Sequence, residues 1–467
     1  MNKIFPFILL LILSPGLPAQ QKLSLDSCRT LALQQSELLK IADLQVEKAK
    51  AEKAAVRTNF LPSLSGSATG IYLNESFEQE LYMPTAVPDM SSGELQPNIM
   101  INPATGEPVV GADGNPVFNM YAWLPLEISL QGAYIAGISL EQPLFTGGKI
   151  VTGNKMASLG LEMAGENRSL QKMNALYEAD QAYWIYVSVK EKVKLAEVYT
   201  KLLEELVATI NDAYETGMTT RNEVLKAQVK LNEAKLQLQK ARSGHELTRM
   251  ALCRITGLDY HTAIIATDSV ISITPFIEEN HESAVSQRPE FFLLKKQLEM
   301  AEQQVKLTRA DFLPTAGVSV GYNYLGGIEV NSEAYTNGSM SVMASVKIPL
   351  FHWGEGMKKI QSAKSEQAIK ALELERNSRL MQLESEQARL NLRDAALRVE
   401  MATEAQKQAD ENLRISKDNY ETGLEILPNL LEAQAQWQSA HNELIDSKTD
   451  YKMKESAWLK ATGNLKQ

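Results

Sequence analysis

The chain is poor in what catalytic and nucleic-acid-binding proteins are built on. Of its 467 residues two are cysteines and five histidines, and aromatics make up 7%. The histidines are scattered, with no H-x-x-x-H pair and no Cys–His cluster, so the sequence offers no transition-metal site. The nearest approach to a phosphate loop, TGGKIV at 146–151, has the lysine but neither the glycine spacing nor the following Ser or Thr. Basic residues do not dominate: 47 Lys and Arg against 57 Asp and Glu give a net charge of −10. Without a basic patch, a nucleic acid partner is excluded. Glutamates on charged helices read as solvated faces, and neither enzyme activity nor a cofactor is expected. Two cysteines are no disulfide framework; Cys28 and Cys253 either pair in an oxidising compartment or stay as two thiols.

Long apolar runs are missing too. The N-terminus, MNKIFPFILLLILSPGLPAQQ, carries Lys3, an apolar stretch from Ile4 to Leu13 and a small-residue exit from Pro15 to Ala19. That is the form of a secretory signal peptide over 1–19, cleaved near Ala19 or Gln20. About ten apolar residues are too few to cross a bilayer core of ~30 Å, and no later segment reaches the ~18 that a membrane helix needs. Cys28, in LSLDSCRT, lies beyond the apolar run and lacks the small residues that precede a lipidated cysteine. The chain reads as exported, without a membrane helix.

What is present is a duplication. YETG occurs in AYETGMTTRNEVLKAQVKL at 213–231 and in NYETGLEILPNLLEAQAQW at 419–437, 206 positions on. The same spacing relates Pro143-Leu144-Phe145 to Pro349-Leu350-Phe351, Gly148 to Gly354, Ala227-Gln228 to Ala433-Gln434 and Thr256-Gly257 to Thr462-Gly463. Upstream the spacing is 252: RTNFLPSLSGSATG at 57–70 aligns with RADFLPTAGVSVGY at 309–322. The difference of 46 residues is an insertion in the first copy, assigned to the Pro-, Gly- and Asn-rich segment 76–122, a long surface loop. The first repeat, 20–257, holds a helix at 26–61, strands at 62–75 and 125–146, a long helix at 149–216 and a helix at 222–256. A linker, 258–280, forms a mid-length belt. The second repeat, 281–467, holds a helix at 281–312, strands at 314–327 and 338–351, a long helix at 356–422 and a helix at 428–462.

From Met357 to Thr422 there is neither Gly nor Pro, which implies a helix of roughly 100 Å. Leu383, Leu390 and Leu397 recur every seven residues, and so do Ala388, Ala395, Ala402 and Ala409, two seams that imply a neighbour on each side. The two YETG turns then cap two helical hairpins, with Gly217 and Gly423 supplying a left-handed residue at little steric cost.

The strands alternate. Leu64, Gly66, Ala68, Gly70 and Tyr72 face away from Ser65, Ser67 and Thr69. Val318, Val320, Tyr322 and Tyr324 face away from Gly317, Ser319, Gly321 and Asn323. Apolar on one face and small or polar on the other, in strands of about ten residues, is the pattern of an outer-membrane β-barrel, though a sandwich with one wet face alternates likewise. Four strands cannot close on themselves, and open edges are not tolerated in lipid. Three copies would give twelve strands around a lumen, continued by a helical tunnel.

Together these features resemble the TolC-type outer-membrane efflux proteins. The resemblance rests on NFLPSL and DFLPTA entering the strands, QPLFTGG and IPLFHWG leaving them, YETG with EVLKAQ and NLLEAQ, and the closing RITG and KATG. It implies a mainly α fold with membrane β: a homotrimer whose 12-stranded barrel sits in the Gram-negative outer membrane lipid and whose α-helical coiled-coil barrel crosses the periplasm. It also implies a periplasmic adaptor and an inner-membrane pump as partners, and a role as exit duct for efflux or type I secretion. In that family acidic residues shortly after the turn glycine ring the closed end. Here Glu223 and Lys226 follow Gly217 by six and nine residues, and Asn429 and Glu432 follow Gly423; the second acidic pair is half present, at Glu432, and Glu223 and Glu432 read equally as carboxylates favoured by the dipole in the first turn of a helix. Tyr214 and Tyr420 stand three before each glycine, to link the hairpins when closed or simply to pack at the helix end. With the two glycines they are candidate adaptor contacts at the tips. Trp353 fits an interfacial aromatic anchor. The alternative is a structural coiled-coil protein that spans the periplasm without a lumen, against which the alternating strands argue.

Overall fold

The computed structural model of the chain describes residues 21–84, 86–88, 95–119, 123–268 and 285–466; the expected leader lies outside them. In chain order the elements are β1 (Gln21–Leu23), α1 (Leu25–Gln35), α2 (Glu37–Arg57), β2 (Ser63–Pro84), β3 (Ala86–Pro88), β4 (Leu95–Pro97), β5 (Trp123–Phe145), α3 (Lys149–Glu215), α4 (Arg221–Thr256), β6 (Ile264–Ala266), α5 (Pro289–Ala310), β7 (Thr315–Val330), β8 (Glu333–Lys347), α6 (Glu355–Glu421) and α7 (Leu427–Ala461). Contacts divide the chain into a helical unit (up to Lys53, Lys155–Val305 and Gln361–Gln467) and a strand unit (Ala54–Asn154 and Lys306–Ile360). Among the described residues no helix is long and apolar enough to cross a membrane.

In the helical unit the long helices dominate; α3 and α6 have 67 residues each, about 100 Å of helix. The buried positions of α6 are Met381, Ser385, Leu392, Ala395, Val399, Ala402, Ala409 and Ser416. Their steps of three, four and seven follow the 3.5-residue period of a coiled-coil seam. Leu392, Ala395 and Val399 pack with Tyr451 of α7. Ala395, Ala402 and Ala409 of the expected alanine row are thus buried inside the chain, beside Leu392 and Val399, while Ala388 is half-buried. The leucine row stays exposed.

A second core forms where β1 and β6 pair in parallel. Leu23, Cys28, Ala32, Tyr183, Val187, Leu252, Cys253 and Ile264 pack there. The Tyr186 hydroxyl donates to Ile264 O at 2.5 Å. That of Tyr183 donates to Leu23 O at 3.2 Å and to Asp268. Residues 264–268 of the expected linker are thus tied to α3 by side-chain hydroxyls; 269–280 lie outside the described residues. Both cysteines are buried free thiols. At the same level Asp180 accepts from Arg29 Nε and Nη2 at 2.6 and 2.7 Å and from Ser456 Oγ at 2.8 Å, tying α1, α3 and α7 together.

In the strand unit β2, β5, β7 and β8 form one antiparallel sheet in that order. Several ends differ from the sequence reading. The helix expected at 26–61 is interrupted at Ser36, whose hydroxyl accepts from Leu39 N at 3.2 Å and so caps a new helix. β2 runs to Pro84, well into the segment expected to be loop, because β5 pairs with it as far as Trp123. β8 spans Glu333–Lys347 rather than 338–351: the hairpin turn falls at Asn331 and Ser332, both at positive φ, and residues after Lys347 have no strand partner. Within the insertion, Met100 N bonds Val117 O, Val117 N bonds Val109 O and Val109 N bonds Met100 O, at 2.6–2.8 Å. Three short segments close on one another in a ring, with Gly106 and Gly114 at positive φ in the turns between them.

Candidate functional site

The sheet separates its side chains by parity. Register places Leu64, Leu140, Val320 and Val342 in one cross-strand row, and Ser65, Ser139, Gly321 and Ser341 in the next. The first face carries exposed Leu64, Tyr72, Ile138, Tyr322, Met340 and Val346. Exposed apolar side chains on one whole face suit lipid, not water. On the other face Ser65 and Ser139 share a hydrogen bond of 2.8 Å. A concavity of about 490 Å3 opens there between Ser63, Glu141, Ser319, Ser345 and Lys347. Met343 and Phe145 line it as well. Among the described residues both outer strands, β2 and β8, have one unpaired edge.

Beyond Lys347 the chain turns into α6 with Leu350, Phe351 and Trp353 exposed; Trp353 is 91% exposed and T-stacked on Phe351 with ring centroids 5.0 Å apart. Trp353 has φ 48, and its counterpart in the first repeat, Gly147, has φ 64. A tryptophan thus occupies a left-handed position at a cost of roughly 1–2 kcal/mol.

At the helical hairpins both turns have the same construction. Met218 N bonds Ala213 O at 2.8 Å and Gly217 N bonds Tyr214 O at 3.0 Å; Leu424 to Asn419 and Gly423 to Tyr420 repeat the pattern. These are Schellman closures with glycine at φ 75 and 78. Leu203, Ile210, Val224, Ala227, Leu427 and Leu430 pack both hairpins into one core. The candidate residues separate here. Lys226 and Glu432 line one groove of about 670 Å3 between α4 and α7, with Leu225, Val229 and Leu431 between them. Glu223 lies outside that groove and accepts from Thr219 Oγ1. Asn429 is exposed. Tyr420 is half-buried against the tip core, and burial, then the Glu223 carboxylate, push its hydroxyl pKa up; Tyr214 is exposed.

One contact escaped the sequence reading: Ser416 Oγ donates to Glu425 at 2.7 Å, joining the end of α6 to the turn that follows it. A serine seven residues after Ala409, in step with the row Ala395, Ala402 and Ala409, was the signal for it. Among the described residues no group of three or more His, Cys, Asp or Glu side chains could hold a metal ion.

Comparison with known proteins bears on this arrangement. A family model described as outer membrane efflux protein matches residues 109–258 and 281–464. The alkaline protease secretion protein AprF of Pseudomonas aeruginosa is 25% identical over 333 residues, covering 68% of this chain and 67% of that protein. Among solved structures, the outer membrane channel MtrE of Neisseria gonorrhoeae, in its open state, superposes with a TM-score of 0.71 at 18% identity, covering 94% of this chain and 88% of that one. The outer membrane protein VceC of Vibrio cholerae superposes with a TM-score of 0.69 at 15% identity, over 94% and 96%. The two-faced sheet, the paired helical hairpins and the family match together place this chain in the outer membrane efflux protein family, as an exit duct of the outer membrane.

Proposed function

We propose that three copies assemble into a passive conduit, with twelve strands closing a barrel in the outer membrane and the helices forming a tunnel on its periplasmic side. The observation that carries this reading is the four-stranded sheet with two unpaired edges and one lipid-suited face, since lipid cannot satisfy open backbone groups. The exposed Leu383, Leu390 and Leu397 support it: an apolar row along a periplasmic helix suits a protein neighbour. The duct opens at the hairpin tips, where Glu223, Lys226, Asn429 and Glu432 set the constriction. Tyr214, Gly217, Tyr420 and Gly423 form the end that a periplasmic adaptor engages, and Trp353 anchors the barrel at the outer-membrane interface. An inner-membrane pump supplies the energy, and the chain itself carries out no catalysis. The similarity to AprF supports secretion of a protein cargo, and the similarity to MtrE an efflux channel. The division into repeats 20–257 and 281–467 is part of the proposal and is supported by the matching turns.

Purified protein in detergent should run as a trimer that heat converts to monomers, and should partition with outer membranes. In planar bilayers it should pass small currents that Glu432→Lys or Lys226→Glu enlarges. Recovery as a water-soluble monomer would sink the reading; conductance indifferent to those substitutions would remove the gate from this position.

A further inference from the structure

The repeat that relates the helices also relates the strands, and at one pair of equivalent positions it reverses the charge. Adding 206 to Glu141 of β5 gives Lys347 of β8, and adding 252 to Ser63 of β2 gives Thr315 of β7. The register repeats with them: Ser63 pairs with Glu141, and Thr315 with Lys347. Each repeat thus sets a hydroxyl beside a charged side chain, at the end of the sheet where β5 and β8 leave for α3 and α6. Both charges stand on the face that carries Ser139, Ser341 and Ser345, since they share the parity of those residues along β5 and β8. They line the same concavity of about 490 Å3, and both are exposed. Among the described residues neither takes part in an ion pair. Residues 58–148 and 312–346 contain no Lys, Arg or His. Lys347 is therefore the one cation of the four strands, and it occupies the position equivalent to a carboxylate.

Register also gives the spacing of the two charges. Ser319 of β7 pairs with Glu141 on one side and with Met343 of β8 on the other, so Lys347 lies two strands across and four residues along from Glu141. With ~4.8 Å between strands and ~3.3 Å per residue, that is a separation of about 16 Å. Strands lean and stagger in a barrel, and equivalent positions of a repeat that closes into a ring share one height.

We propose that Glu141 and Lys347 alternate around the lumen at the inner end of the barrel, three carboxylates and three ammonium groups in one collar without net charge, and that this collar makes the barrel indifferent to the sign of its cargo. The inference rests on the trimeric reading above and adds to it the residues that set charge preference in the strands. A solute passing from the tunnel into the barrel meets both signs in turn. Polypeptides and zwitterions find a partner for each of their charges, whereas a ring of six like charges would repel one of them.

The test uses the full chain in detergent at about 10 mM salt, where the Debye length is ~30 Å. E141C and K347C are each treated with an anionic and with a cationic methanethiosulfonate, and labelling rates are read by mass spectrometry; both native thiols are buried. In E141C the nearest collar charges are lysines, in K347C glutamates. Two unit charges about 16 Å away should shift the ratio of anionic to cationic rates about threefold, upward in E141C and downward in K347C, so that the two ratios differ about eightfold. The thiolate fraction cancels within each ratio, and any field common to the whole lumen cancels between them. E141C/K347R should keep the E141C ratio, and E141C/K347Q should lose about threefold of it. In planar bilayers E141K should move the reversal potential towards anion passage and K347E towards cation passage, while the swap E141K/K347E returns it to that of wild type. Equal ratios in E141C and K347C, thiols that do not react at all, or a swap that fails to restore the reversal potential, in protein that sizes as a trimer, would overturn the collar and leave the duct standing. A monomeric wild type would overturn the trimer itself, and the collar with it.

Discussion

Asp180→Ala removes a carboxylate that three donors share. Asp180 is fully buried, and the Arg29 side chain bound to it is 14% exposed. Deleting one partner of a buried ion pair costs about 3–5 kcal/mol, because the remaining charge is left without compensation. Asp26, 4.0 Å from Arg29 but 92% exposed, recovers part of that loss, so the lower end, about 3 kcal/mol, is expected. The leucine pair R29L/D180L removes both charges and fills the space, and should come within about 1 kcal/mol of wild type or exceed it. D180N, which keeps the shape and one acceptor, should fall between. The assay is the urea midpoint of the helical far-UV signal in detergent, with the slope m held constant across the set. If D180A loses less than about 1 kcal/mol, the range of an exposed pair, or if the single losses simply add in the double variant, the buried pair does not hold α1, α3 and α7 together as described.

The remaining predictions concern thiols, turns and pH. Burial, with Asp180 next, pushes the Cys28 pKa up to about 12, and burial raises that of Cys253; since the thiolate is the reactive form, neither should be alkylated at neutral pH until the protein unfolds, which mass spectrometry reads directly. Gly217→Ala and Gly423→Ala meet open space and should cost about 1–2 kcal/mol each through positive φ alone. Gly257→Ala would also drive a Cβ to 2.3 Å from Gln35 Cγ and should lose more in the same urea assay. Burial lowers the His245 pKa, chiefly against the opposing charge of Glu246. A histidine with a depressed folded pKa contributes stability present above its unfolded value of ~6.5 and lost as pH falls through the folded pKa. Acidification below pH ~6.5 should therefore weaken the wild type more than His245→Phe, a contrast that urea midpoints along a pH series would reveal.

Legibility differed from element to element. The period-two strands and α6 were visible because alternation and the absence of Gly and Pro from Met357 to Thr422 act locally, whereas α3, with Gly153, Gly160 and Gly165 inside it, was visible through the 206-residue repeat. The Schellman turns at Gly217 and Gly423 were visible for the same reason. Ser36 as a cap was hidden by the continuous helical pattern on both sides of it. The extension of β2 to Pro84 was hidden because only its pairing with β5 makes that segment a strand. At the tips, neither spacing nor charge could separate Glu223 from Glu432. The fold does so by turning α7 so that Glu432 shares a groove with Lys226, while Glu223 is engaged by Thr219.

By itself, then, the sequence determined the repeated unit, the two apolar rows of α6 and the two faces of each strand, since all of these follow from backbone periods of 3.5 and 2 residues. Only the tertiary structure decided which row was spent inside the chain. Ala395, Ala402 and Ala409 are buried along the inner seam, and Leu383, Leu390 and Leu397 are left bare. That choice depends on which neighbouring helix each face meets, as when Leu392, Ala395 and Val399 meet Tyr451 of α7, a property of helix pairs that no single helix carries.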